Sequence, residues 1–244
     1  MAKAAPAEQL RLLDLQALDG RIKSLDKQIK TLRADPRLTS LHGEVAAAQS
    51  ALGQLHTELA DTQLDLKRSE TDVEQVVTRM ERDEARLNAG GLSKDLMALQ
   101  ADLASLAKRR SDLEDAELEV MERLEDVTAR HGRQQAVVEG LQGQLSLVQD
   151  EVDAGLAELS VDRSATQERR AELAASFEAG LLGVYEKTLE RRGIGAARLF
   201  HGTSEGSGMQ LSPGDLADIS KSAADDIVFC PDSGCILVRS TEWN

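Results

Sequence analysis

Apolar residues recur along most of the chain at alternating steps of three and four. Leu15, Leu18, Ile22, Leu25, Ile29 and Leu32 make a first run. Leu38, Leu41, Val45, Ala48, Leu52, Leu55 and Leu59 make a second, which continues through Leu66, Val73, Val76 and Met80 to Leu87, with Thr62, Ser69 and Asp83 in the same register. A third runs from Leu96 through Leu99, Leu103, Leu106, Leu113, Val120, Leu124, Val127, Val138, Leu141, Leu145, Val148 and Val152 to Leu159, with Arg110, Glu117, His131 and Gln134 on the stripe. Such spacing keeps every marked residue on one face of a helix, and its persistence over many heptads between charged flanks predicts a coiled coil.

The breaks organise the runs. Asp35-Pro36 interrupts the first, because proline is accepted in the opening turn of a helix but kinks its interior. Gly90-Gly91 ends the second, with Ser93 placed as the N-cap of the next helix. The runs on either side of the glycines match in length, and at about 1.5 Å per residue each would extend on the order of 120 Å. The pattern therefore predicts an antiparallel hairpin over residues 1–176, with a turn near 88–92 and a kink near 35–36. Facing residue numbers would sum to roughly 180. A parallel homodimer is the alternative, so monomer and dimer both stay open. The polar stripe residues read as register devices, with Arg110 and Glu117 able to reach water along their stems. His131 has no second ligand placed beside it by the sequence. Gly132, Gly140, Gly143 and Gly155 would loosen the second arm.

The composition changes after residue 176. A short helix is expected from Phe177 to about Arg192, ended by Gly193 and Gly195. Ile227-Val228-Phe229 and Ile236-Leu237-Val238 read as short strands between turns, and Ser212-Pro213-Gly214-Asp215 as the start of a short helix capped by Ser212 or Asp215. The expected core of this part is Leu199, Phe200, Met209, Leu211, Leu216, Ile219, Val228, Phe229, Ile236 and Val238, helped by Leu181, Leu182 and Tyr185.

The stretches LLGVYEKTLERRGIGAARL and LSPGDL, the pair CPDSG and ILVR, and SKDLMALQADLASLAKRRSDLEDAELEVMER at 93–123 together resemble a bacterial family of coiled-coil proteins that end in a C4-type zinc ribbon. The family carries a CxxC knuckle, a linker with a short helix, and a second CxxCG before ILVR. The resemblance implies a mainly α protein: a coiled-coil hairpin with a small ribbon-like α+β domain over 177–244. It also implies an adaptor or chaperone-like role, with nucleic-acid binding often proposed for the ribbon. The family's four ligand slots fall on Ser204, Ser207, Cys230 and Ser233, so only Cys230 keeps a thiol. Structural zinc takes about four thiolate or imidazole ligands, and a hydroxyl stays protonated near neutral pH. Loss of the metal is therefore expected, and with it any cofactor. An improvised set of His201, Cys230, Asp232 and Cys235 is the one metal alternative. Without zinc, packing must supply the folding energy that a metal supplies in small ribbons.

Charge and composition narrow the function. Aromatic residues are 2% of the chain, too few for a thick globular core, and the formal net charge is −14. From Phe177 onward there are six Lys/Arg and ten Asp/Glu. That balance disfavours phosphate backbones and anionic membranes. The clusters Lys108-Arg109-Arg110, Arg169-Arg170 and Arg191-Arg192 read as solvated helix faces. There is no apolar h-region at the start and no run of the roughly 20 apolar residues needed to span a bilayer. With two cysteines, Cys230 and Cys235, a reducing cytoplasmic setting is expected. GIGAAR at 193–198 lacks a preceding strand, and the glycine-rich 202–208 has no following Lys-Ser/Thr, so neither is a nucleotide loop. The sequence reading is a non-enzymatic protein that presents helical faces and a ribbon tip to protein partners, with nucleic-acid binding as the alternative.

Overall fold

The computed structural model describes residues 3–240 and Trp243. They form two compact units, Pro36–Asp150 and Met1–Asp35 with Glu151–Asn244.

The first unit is a helical hairpin made of α2 (Pro36–Asn88) and residues 93–150 of α3 (Ser93–Ala175). Pro36 is the first residue of its helix, where its missing N–H costs nothing. The predicted stripe is the seam: Val45, Ala48, Val76, Leu106, Val120, Val127 and Val138 are buried, and the leucines between them are half-buried. The arms pair within the chain and run antiparallel. Gln134 donates to the Ala48 carbonyl at 3.0 Å, Arg130 meets Glu58 at 2.6 Å, and Arg79 faces Asp102 at 4.0 Å. Asp83 is buried on the seam between Arg79 and Arg86, each 3.7 Å away. Arg110 shares the register but turns outward to Glu114, 2.6 Å away on its own helix. His131 is not isolated: His56 of the opposite arm lies 6.0 Å from it between ring centroids. At the turn Gly90 adopts φ 79°, and the Leu92 carbonyl accepts from the amides of Asp95 and Leu96. Ser93 is therefore the first helical residue and not the cap.

The second unit starts from α1 (Pro6–Arg33), which lies antiparallel to residues 151–175 of α3. Arg21 meets Asp162 at 2.7 Å and Arg163 meets Asp26 at 2.6 Å. Gly155 belongs to this contact. A Cβ there would stand 2.9 Å from Leu32 Cδ2, so it admits a close approach and does not merely loosen the helix. After a short turn through Phe177, α4 (Ala179–Arg192) ends at Gly193 in the left-handed region, φ 76°.

The tail folds into a five-stranded sheet and one helix. The strands are β1 (Ala196–Phe200), β2 (Thr203–Ser204), β3 (Met209–Gln210), β4 (Val228–Phe229) and β5 (Ile236–Arg239), in the order β3-β2-β1-β5-β4. β1 and β5 are parallel, with Ala196 opposite Ile236; the other pairs are antiparallel. The helix α5 (Pro213–Lys221) follows Ser212, whose hydroxyl caps it by accepting from the Asp215 amide at 3.1 Å.

The alternation of side chains along β5 divides the core in two. Ile236 and Val238 point to the helices and meet Leu12, Leu15, Leu181 and Tyr185. Leu237 points the other way, to Leu199, Leu211, Ile219, Cys230 and Cys235. Two expected core residues are instead on the surface, Met209 at 58% and Phe229 at 48% exposure, because their two-residue strands lie at the two edges of the sheet.

A polar joint fastens the sheet to the helices. Gln16 Oε1 of α1 accepts from the amides of Gly195 and Ala196 at 2.6 and 3.2 Å. Asp19 accepts from Arg170 Nε at 3.0 Å and from the Tyr185 hydroxyl at 2.7 Å, and Arg170 also meets Glu186. The N-terminal segment joins in: Lys3 bridges to Asp226, and the buried Gln9 donates to the carbonyls of Ala4 and Ala224 at 2.9 and 3.2 Å. Arg239 satisfies the loop after α5, donating to the carbonyls of Ser222, Ala223, Ala224 and Asp226 at 2.6–3.2 Å.

Candidate functional site: two closed knuckles

Two turns of the sheet domain share one construction. In the first, between β2 and β3, the Gly208 amide donates to the Ser204 carbonyl at 2.8 Å, and Gly208 has φ 69°. In the second, between β4 and β5, the Gly234 amide donates to the Cys230 carbonyl at 2.9 Å, and Gly234 has φ 71°. Each turn thus needs a residue tolerant of the left-handed region at its fifth position, and glycine supplies it. The same turn in both places holds the first and fourth residues of each motif on its inner side.

The four slots named from the sequence meet here. Cys230 is 2% exposed, and its thiol donates toward Ser207 Oγ across 4.0 Å. The Ser233 amide donates to Cys230 Sγ at 3.5 Å. Ser204 is fully buried, and its hydroxyl faces the Cys230 thiol. Burial opposes the Cys230 thiolate, but the Ser204 hydroxyl, the amide and hydroxyl of Ser233 and the Asp232 amide outweigh it, so the thiol lies below its ordinary range. Cys235 is different. It is fully buried, shares a hydrogen bond with Ser233 Oγ at 3.1 Å and sits against Gly206, where a Cβ would come within 2.7 Å of its sulfur. Burial pushes its thiol up, with the Ser233 hydroxyl partly offsetting that. Both cysteines are free thiols.

The cradle has the backbone of a metal knuckle pair and the wrong donors. One thiol and three hydroxyls do not fit structural zinc, which draws its binding energy from thiolate and imidazole. His201 does not join in. It takes φ 45° at the end of β1, is exposed, and rests its ring edge-on against Phe200 at 4.2 Å between centroids. Asp232 is exposed on the outside of its turn. Among the described residues no group of three or more His, Cys, Asp and Glu side chains is placed to hold a metal ion. What the sequence did not reveal is the pairing of His56 with His131 and the polar joint around Asp19, since both join residues far apart in the chain.

A coiled-coil hairpin ending in a pair of ribbon knuckles defines a recognisable class of protein. The chain belongs to the family of the CT398-like coiled coil hairpin domain, which matches residues 15–193, and a C4-type zinc ribbon domain matches residues 203–237. The Mycobacterium tuberculosis protein Rv2229c, described as uncharacterized, is 32% identical over 238 residues, covering 97% of each chain. A solved Mycobacterium smegmatis structure superposes with a TM-score of 0.85 at 31% identity, covering 97% of this chain and all of the other. CT398 of Chlamydia trachomatis superposes with a TM-score of 0.65 at 16% identity over 95% of this chain, a likeness of fold. Neither matching domain is a catalytic family. Among the described residues no helix is long and apolar enough to cross a membrane.

Proposed function

We propose that the protein is a non-enzymatic adaptor or chaperone-like protein of the cytoplasm, whose ribbon domain folds without metal and serves as a docking tip for protein partners. One observation carries the reading: both knuckle turns are closed while three of their four donors are hydroxyls. A domain kept in shape after losing its metal donors offers form and surface. The buried and half-buried polar groups of the second unit support it, because Gln9, Gln16, Asp19, Arg170, Tyr185 and Arg239 all hold one element to another. Nucleic-acid binding is opposed by the formal net charge of −14.

Capture of the full chain from its host with nuclease treatment tests this. Protein species retained after nuclease are expected. If every captured species is released by nuclease, and binding to RNA or DNA weakens steeply with salt, the nucleic-acid reading replaces this one.

A further inference from the structure

A cleft of the sheet domain is lined by cations although the molecule is acidic. The last turns of α4 place Lys187, Arg191 and Arg192 beside the second knuckle, where they line a cleft of about 270 Å³ with Val184, Phe229 and Gly234. Lys23 of α1 reaches the same end of the helix, its Nζ near Gly193. None of the four cations makes a salt bridge within 4.0 Å among the described residues. Cations at a helix C-terminus are favoured by the macrodipole, which accounts for their presence but not for the aromatic ring beside them. Phe229 is 48% exposed and forms an apolar wall of the cleft with Val184. Arg192 lies against the knuckle, its Nε 2.8 Å from where a Gly234 Cβ would stand, a close approach that the bare glycine admits. The carboxylates adjoining these cations in sequence are Glu186 and Glu190 on α4, with Asp232 on the knuckle; Glu186 is paired with Arg170, and the other two are exposed.

We infer that this cleft is the docking site for a short acidic peptide segment of a partner protein, with an apolar side chain seated between Val184 and Phe229 and flanking carboxylates on Lys187, Arg191 and Arg192. The inference rests on the adaptor reading and names the chemistry of the partner. Size and charge choose the occupant. The cleft has room for one apolar side chain and its neighbours, below the usual 300–1,000 Å³ of small-molecule pockets. Exposed charges are screened beyond roughly 8–10 Å, so a short segment senses mainly the local cations. An extended nucleic acid would run on over the acidic remainder of the surface. It would also need a row of stacking rings, and here the cleft offers one.

The test is fluorescence anisotropy of the full chain with a labelled Glu-Glu-Leu-Glu-Glu peptide. Controls are the same peptide with glutamine for glutamate and a single-stranded oligouridylate of equal charge. The acidic peptide is expected to bind, and the glutamine peptide to bind at least ~10-fold more weakly. Lys187→Glu with Arg191→Glu should abolish binding, and Phe229→Ala should weaken it at least ~10-fold. All three sites are on the surface, and an unchanged melting temperature shows that the fold is kept. No binding of the acidic peptide, equal binding of the glutamine peptide, indifference to the charge reversal, or tighter binding of the oligouridylate each overturns the inference. Nuclease-resistant capture that persists in the charge-reversed protein would overturn it while leaving the adaptor reading standing, with docking elsewhere.

Discussion

The Tyr185 hydroxyl donates to Asp19 Oδ2 at 2.7 Å, linking the helix that precedes the ribbon to the first helix of the chain, 166 residues away. Tyr185 has no exposed surface, and its ring lies in the core shared by both layers. Burial first, and then the Asp19 carboxylate, hold the phenol well above its ordinary range. In the unfolded chain the phenol ionises near pH 10. Stability from this group is therefore complete below about pH 10 and falls as pH rises beyond it, by up to about 1.4 kcal/mol per pH unit. Alkaline unfolding followed by circular dichroism should be steeper above about pH 10 for the native protein than for Tyr185→Phe. At neutral pH the variant should be less stable by about 0.5–1.5 kcal/mol, because the half-buried Asp19 carboxylate keeps Arg170 but loses the phenol donor.

Two glycines should respond in opposite directions. A Cβ on Gly195 would lie 2.4–2.8 Å from three carbons of the Tyr185 ring, which cannot retreat from a packed core. Gly195→Ala is expected to cost about 1–3 kcal/mol or more in urea unfolding. Gly143 lies inside a helix with nothing within 4 Å of its Cβ position. Gly143→Ala should raise stability by about 0.5–1 kcal/mol.

Arg239→Ala leaves the carbonyls of Ser222, Ala223, Ala224 and Asp226 without their shared donor. Bonds from a charged group contribute about 1.5–3 kcal/mol each, and water can replace those at the exposed end. A loss of about 2–4 kcal/mol is expected from the set. Hydrogen exchange should rise first in residues 222–226, before the coiled coil opens.

The knuckles should accept metal once the donors are restored. Ser204→Cys, Ser207→Cys and Ser233→Cys together with Cys230 would set four thiols on two turns already closed by Gly208 and Gly234. The triple variant is expected to bind one zinc ion and to lose melting temperature on chelation. The native protein should melt at the same temperature with and without chelator. A chelator-dependent drop in the native protein would remove the metal-free proposal.

The coiled coil was legible because its driving pattern is local. A stripe read at steps of three and four is the seam from Leu41 to Leu87 and from Leu96 to Leu159. The ribbon was legible in part. Ser212 and the ILVR strand were recognisable, but β1 was not, since Ala196-Ala197-Arg198-Leu199-Phe200 has little strand character until Ile236 and its neighbours pair with it in parallel. The exposure of Phe229 and Met209 was hidden for a related reason. An apolar run says that a strand forms, and its place at the sheet edge decides whether one side is covered. The Asp19 joint could not be read at all. Asp19, Arg170 and Tyr185 each look like ordinary helix residues until the fold brings them together.

The backbone bridge between Lys3 and Asp226 makes the ribbon depend on residues far away in the sequence. Its supporting wall is α1, whose Leu12 and Leu15 pack with Ile236 and Val238 of β5. Closing a loop of that length costs chain entropy, which the contacts between α1 and the sheet must offset. Leu12, Leu15 and Gln16 are the surface against which the sheet is built. Damage to α1 should therefore reach the cationic cleft indirectly, through a sheet that has lost the floor on which it rests.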